Sequence, residues 1–165
     1  GIPHKSLEQL QHTPAMATRD LHIHHPSLDY LQSRWDRKNL NNVSLVIEAI
    51  HGDTRVLLPG DIDQNVEGIL ANELRRPGRV LLAAPHHGSQ HSSGEALLDS
   101  LKPEAVVFSC GYGNWFGFPH ETVLQRLRDR DTQLHRTDQE GAVWAVSDGH
   151  SWRFAFPAGT NGNFR

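Results

Sequence analysis

The sequence predicts a layered α/β domain, and three observations predict it. Short runs of aliphatic and β-branched residues alternate with amphipathic segments of helical period. The runs Val80-Leu81-Leu82-Ala83 and Ala105-Val106-Val107-Phe108 are apolar throughout, as strands covered on both faces are. The polar groups able to do chemistry fall just after the ends of such runs, where sites gather at one rim of an open α/β sheet.

The elements follow in order. Residues 1–19 are polar, carry Pro3 and Pro14, and read as a poorly ordered lead. Leu21-His22-Ile23-His24 alternates like a half-buried strand and stops before Pro26. Ser44–Ile50 and Arg55–Leu58 are β-rich runs separated by His51-Gly52-Asp53-Thr54, a hairpin turn. Beyond Pro59-Gly60-Asp61, the residues Val66, Ile69, Leu70 and Leu74 recur at helical spacing, and Arg75-Arg76-Pro77-Gly78 closes that helix with positive charge, Pro and Gly. Val80–Ala83 is the next strand. Ser93–Leu101 reads as a short helix capped by Ser92 or Ser93, with Leu97, Leu98 and Leu101 on its buried face. Ala105–Phe108 is a strand, and His120–Arg130 is a helix with Val123, Leu124 and Leu127 inside. Gln133–Arg136, Ala142–Val146 and Trp152–Phe156 are three further strands, the last two joined by Ser147-Asp148-Gly149-His150. Residues 157–165 form a Gly/Asn-rich flexible tail, so one unit is expected over residues 20–156.

Composition narrows the function. A chain of 165 residues, 37% of them hydrophobic, fills a single core. With 16 basic against 19 acidic residues the net charge is −3, which argues against a general nucleic-acid coat; a DNA contact here is local or aided by a metal. The lone Cys110 excludes an internal disulfide and a cysteine-built zinc site, leaving His, Asp and Glu as ligands. No run approaches the roughly 18–20 apolar residues of a membrane span. Gly1–Gln11 lacks a signal peptide's apolar block, so neither a span nor an export signal is expected. The 12 histidines are the compositional oddity, readable as a metal site or as scattered surface residues.

Four stretches could carry chemistry. Leu57-Leu58-Pro59-Gly60-Asp61 sets a carboxylate after a strand, suited to a divalent cation; capping the next helix is the alternative, although Asp63 is better placed as a cap. Ala84-Pro85-His86-His87-Gly88-Ser89 is the strongest local signal. Adjacent imidazoles diverge, so one could ligate a metal and the other meet a substrate oxyanion, with Gly88 allowing close backbone approach and Ser89 offering a hydroxyl. The alternative is a His-rich surface loop. Ser109 to His120 mixes glycines, aromatics, Asn114 and His120 and can lie over a site, its aromatics reading more as loop anchors than as base-stacking platforms. His22-Ile23-His24-His25 reads as strand residues, since the Asp and His that continue a metal motif are replaced by Pro26 and Ser27.

In order, Asn41-Asn42-Val43-Ser44-Leu45-Val46-Ile47, Leu57–Asp61, Pro85–Ser89 with Ser92-Ser93, the loop from Gly113-Asn114 to His120, and Arg136-Thr137-Asp138 before Gly141-Ala142-Val143 resemble one family. That family is the C-terminal metallo-β-lactamase-like domain of the ComEC DNA-uptake competence proteins, and the resemblance runs from about Asp20 to Ser147. It implies a partial αββα fold, with mixed sheets and helices on the outer faces, and a metal-dependent phosphodiesterase acting on DNA during natural transformation. Carried over by position, Asp61, His86 and His87 match metal-site residues, with Asp61, His87 and His120 in catalytic positions and Ser89, Ser92 and Asn114 near the substrate. The family's earlier His-x-Asp-x-Asp-His motif has no counterpart here, so zinc or manganese is expected to bind weakly or not at all and the chain alone to be a poor nuclease. The resemblance further implies DNA as partner, the membrane channel part of the same parent protein, and a place on the extracytoplasmic face of the bacterial inner membrane. A non-catalytic DNA-guiding module, or a hydrolase of a small phosphoester such as a phosphocholine ester, are the competing expectations.

Overall fold

The computed structural model describes residues 20–33 and 39–156. The lead at 1–19 and the tail at 157–165 expected from the sequence lie outside the described residues. Strands β1 (Leu21–His25), β2 (Val46–His51) and β3 (Thr54–Leu58) pair antiparallel in that order, and β4 (Arg79–Ala83), β5 (Ala105–Phe108) and β6 (Gln133–Arg136) continue the same sheet parallel to β3. The β2–β3 turn pairs His51 with Thr54, so the predicted hairpin closes through Gly52 and Asp53.

Helix α1 (Leu28–Ser33) follows β1, and a 3-10 turn (Leu40–Val43) precedes β2. Parallel strands need crossovers, which α2 (Gln64–Leu74), α3 (Glu95–Leu101) and α4 (Glu121–Arg128) provide. A four-residue helix α5 (Thr137–Glu140) and a separate hairpin of β7 (Trp144–Ser147) and β8 (Trp152–Ala155) complete the described chain. The sequence reading contains neither α1 nor α5 nor the 3-10 turn. Each is too short to show a periodic apolar stripe.

Alternation along β4 assigns the two sheet faces. Val80 and Leu82 join a core with Val66, Leu70 and Leu74 of α2, Leu97, Leu98 and Leu101 of α3, and Val123, Leu124 and Leu127 of α4. Leu81 instead packs with Ala105 of β5 and Phe154 of β8, backed by Val56, Val107, Ala145 and Trp152. The described helices with buried apolar faces therefore share one side of the sheet, and the β7–β8 hairpin covers the other. Each fully buried Leu or Phe in these clusters contributes roughly 1.5–3 kcal/mol over leaving it in water.

A buried charge network fastens β1, β2 and β3 to the far end of α2. His24 offers both ring nitrogens to carboxylates, Nδ1 to Glu73 at 2.7 Å and Nε2 to Glu48 at 2.9 Å. Two carboxylate partners require both nitrogens to donate, so the imidazole is charged. Burial opposes that charge, but the bonds to Glu48 and Glu73 prevail and raise its pKa. Glu48 in turn takes Arg55 Nε at 2.6 Å, and burial of its carboxylate is overcome by His24 and Arg55, which lower its pKa. His24 and His25 of β1 are thus structural strand residues; His25 Nε2 donates to Asn42 O at 2.8 Å.

Candidate functional site

Three chain crossings meet at the C-terminal rim of the parallel strands. After β3, Gly60 turns with φ of +62° and lies so close to Ser44 that a Cβ there would stand 2.7 Å from the Ser44 Cβ. Ser44 Oγ accepts from the Asp61 N–H at 3.1 Å, and Gly60 O accepts from the His86 N–H at 3.0 Å. Asp63, not Asp61, caps α2, its Oδ1 accepting from Asn65 N at 2.9 Å. The Asp61 carboxylate is left facing the rim.

After β4, His86 and His87 both take left-handed backbone, with φ of +48° and +56°, and Gly88 follows at +88°. Two successive non-glycine residues there cost roughly 1–3 kcal/mol each, a strain kept only when the surroundings hold it. Several contacts do so. Ser89 N donates to His86 O at 3.0 Å, His120 N donates to Gly88 O at 2.9 Å, and His87 Nδ1 meets Ser109 O at 2.8 Å.

A carbonyl only accepts, so Nδ1 of His87 donates to Ser109 O, and Nε2 is the ring nitrogen turned toward Asp61. That Nε2 stands 3.6 Å from Asp61 Oδ1. His86 lies across the pocket, its Nε2 3.5 Å from Asn41 Nδ2 and its ring edge-on to Phe118 at 5.8 Å between centroids. Asp61, His86 and His87 line one pocket of about 410 Å³ together with Ser109, Cys110, Gly111, Asn114, Phe116 and Phe118.

The structure brings three of the sequence-predicted site residues, Asp61, His86 and His87, together with Asn114. Asn114 spends its amide on its own loop: Nδ2 donates to Phe118 O at 2.7 Å and to Gly111 O at 3.2 Å, and Oδ1 accepts from Phe118 N at 2.9 Å. His120 is the N-cap of α4, its Nδ1 accepting from Thr122 N at 3.3 Å, and it is not among the pocket's lining residues. Ser89 is buried with its Oγ 3.4 Å from the donating His91 N, and Ser92 is fully buried and donates to Ile62 O at 2.9 Å. Among the described residues, no three His, Cys, Asp or Glu side chains converge closely enough to hold a metal ion. Asp61 and His87 fit part of a coordination shell, not a whole one.

Two supporting residues escape a reading of the sequence. Asn42 donates to Asp63 Oδ2 at 2.9 Å and accepts from Asp63 N at 3.0 Å, tying the 3-10 turn to the start of α2. Glu67, 1% exposed, accepts from Ser93 N at 2.6 Å and Gly94 N at 2.7 Å and so tethers the segment after the histidine pair. Arg126 of α4 donates to Ser92 O and Ser93 O on the same segment.

Burial, opposed by those two backbone N–H groups and helped by the nearby Asp63 charge, pushes the Glu67 carboxyl from 4.5 up to about 7. A carboxyl whose folded pKa is raised stabilises the fold while protonated; its contribution is full below 4.5 and is lost as pH rises through about 7. Glu67→Gln removes that slope. Between these limits the variant is expected to gain on the order of 3 kcal/mol relative to the wild type, read from denaturation midpoints at both ends of the window. A pH-independent difference would show that Glu67 is not buried in this way.

No family model matches the chain. It is 30% identical over 138 residues to ComE operon protein 3 of Bacillus subtilis (strain 168), covering 84% of this chain and 17% of that protein. Competence protein ComA of Neisseria gonorrhoeae is 35% identical over 113 residues, 66% of this chain and 16% of the relative. Recombination protein 2 of Haemophilus influenzae is 36% identical over 104 residues, 62% of this chain and 13% of the relative. The chain therefore spans less than a fifth of the length of each of these relatives. No described helix is long and apolar enough to cross a membrane.

Proposed function

The chain belongs to the family of ComEC-type competence proteins, and from that premise we propose that it is the hydrolase-like segment of a DNA-uptake protein, contributing part of a phosphodiesterase centre. The observation that carries this reading is the pair formed by the Asp61 carboxylate and Nε2 of His87, 3.6 Å apart on one pocket. An oxygen and an imidazole nitrogen so arranged suit a shared zinc or manganese ion. When bound, such an ion supplies Lewis-acid stabilisation of phosphate charge.

The chain's own residues do the rest. Ser109 O fixes the His87 tautomer, Ser44 holds the Asp61 backbone, and the His86 imidazole is available to a phosphate oxygen across the pocket. Because no third donor joins the pair among the described residues, further ligands come from outside them, and the chain alone binds metal weakly and cleaves DNA poorly. In this reading the segment works at the extracytoplasmic face of the inner membrane, beside the channel part of a longer parent protein.

Calorimetric titration of Mn²⁺ and Zn²⁺ tests the reading. Asp61→Ala and His87→Ala are each expected to weaken metal binding by about tenfold or more, since losing even an outer partner of a metal ligand costs that much. Cleavage assays on single-stranded DNA, duplex DNA and a phosphocholine ester run in parallel. Metal binding indifferent to both substitutions would sink the proposal, and turnover of the phosphocholine ester without DNA cleavage would replace it with the small-phosphoester hydrolase.

A further inference from the structure

The segment 109–119 between β5 and α4 exposes three large rings within a few residues. Tyr112 is 94% exposed, Trp115 101% and Phe116 79%. The sequence favours loop anchors over base-stacking platforms for these aromatics, and the structure leaves all three rings largely in solvent. The loop is held instead by Asn114 and by two successive turns, Asn114 N to Gly111 O and Gly117 N to Asn114 O, both at 3.2 Å. Three large rings left mostly in water within one short segment point to a binding surface.

Their arrangement says what binds. Phe116 stacks on Phe118 with centroids 5.5 Å apart and planes within 18°, and both line the pocket that holds Asp61 and His87. Phe118 in turn meets His86. An aromatic path thus leads from the exposed tip to the polar floor of the pocket. No charged residue occurs between Ser109 and Pro119, so the tip offers flat faces without phosphate-neutralising cations.

We propose that Tyr112, Trp115 and Phe116 form a stacking platform for unpaired DNA bases, which seats a single strand with its phosphodiester at the Asp61–His87 pair. The proposal rests on the DNA reading above and adds the strand preference. Unpaired bases have free faces to stack on aromatic rings, whereas duplex bases are already stacked on one another. Because the tip neutralises no phosphates, binding through it depends only weakly on salt.

The test uses the full chain in EDTA, so that metal-dependent cleavage and base stacking are read separately. Labelled oligothymidylate, an abasic oligomer of equal length and a blunt duplex are titrated, with fluorescence anisotropy and tryptophan emission as readouts. Oligothymidylate is expected to quench emission in the wild type and not in Trp115→Phe. Trp115→Ala and Phe116→Ala should each weaken its binding by about tenfold, within the range measured for losing one base-stacking ring. The abasic oligomer and the duplex should bind the wild type no better than oligothymidylate binds these variants. Circular dichroism confirms that the variants, altered only at exposed positions, remain folded. Equal affinity for the abasic oligomer would overturn the platform while leaving the phosphodiesterase reading standing. A blue shift of Trp115 on phosphatidylglycerol vesicles, with no response to oligothymidylate, would assign the tip to a lipid surface. Absence of any DNA binding in EDTA would overturn the platform, and the phosphodiesterase reading would then stand or fall on the metal titration and cleavage assays alone.

Discussion

Gly88→Ala is expected to lower stability by about 2–5 kcal/mol, the sum of an overpacked core position and a side chain forced into left-handed backbone. The added Cβ would stand 2.7 Å from Pro119 Cβ and 2.8 Å from two ring carbons of Phe108. Neither neighbour can yield cheaply. Phe108 is fully buried in β5, and Pro119 is buried beside the His120 N–H bond to Gly88 O. At φ of +88° the backbone itself disfavours any side chain. The Pro85–Ser89 turn must therefore shift, carrying His87 away from Ser109 O and from Asp61. Gly68→Ala supplies the contrast: it lies within α2 with nothing within 4 Å of the new Cβ, and helix propensity alone should stabilise it by about 0.5–1 kcal/mol. Urea denaturation of both variants reads the difference, and metal titration of Gly88→Ala reads the displaced pair. A Gly88→Ala protein as stable as the wild type would mean that the histidine turn is not packed as described.

Much of this architecture is written in local pattern, and the remainder depends on partners distant in sequence. Periodicity exposes α2, α3 and α4 because Leu70, Leu74, Leu97, Leu98, Val123 and Leu127 repeat at helical spacing and are all buried. The apolar runs of β4 and β5 announce parallel strands, and Asp61, His86 and His87 are legible because each follows such a strand. What the sequence cannot display is conformation imposed from outside. Nothing local says that His86 and His87 are left-handed, since that geometry is held by Gly60 O, Ser109 O and His120 N. Glu67 sits among helix residues of mixed polarity with no local sign of burial; the return of Ser93 and Gly94 covers it. The hydroxyl of Ser92 looks available to a substrate until Ile62 O is found 2.9 Å away. The aromatic tip fails in the other direction, because apolar residues are expected to bury themselves and Trp115 has nothing to bury against.

Arg55→Ala is expected to cost about 3–5 kcal/mol at neutral pH, the usual penalty for breaking a buried ion pair by removing one member. Arg55 is 3% exposed, and besides Glu48 it satisfies two carbonyls at the end of α2, Leu74 O at 3.0 Å and Arg76 O at 2.7 Å. Those carbonyls belong to the last turn of the helix and its exit, where no further intrahelical donor reaches them. Alanine therefore leaves the buried carboxylate with His24 alone as its close charged partner and removes the donor from two carbonyls, that of Leu74 buried. Arg55→Lys is expected to recover only part of the loss, because an ammonium cannot serve a carboxylate and two diverging carbonyls in the fixed geometry of a guanidinium. The pH dependence separates charge from packing. Glu48 has a lowered folded pKa, so its contribution is present above its ordinary value of 4.5 and is lost as pH falls through the folded value. The gap between wild type and Arg55→Ala should accordingly narrow on acidification below 4.5, where Glu48 takes up a proton and no longer needs the arginine's charge. Adding Glu48→Gln to Arg55→Ala should restore part of the lost stability at neutral pH for the same reason. A gap that stays constant across that range would instead trace the destabilisation to the arginine's lost packing. In either case the damage lies at the end of β3 remote from Asp61, so metal binding by the fraction that remains folded is expected to match the wild type.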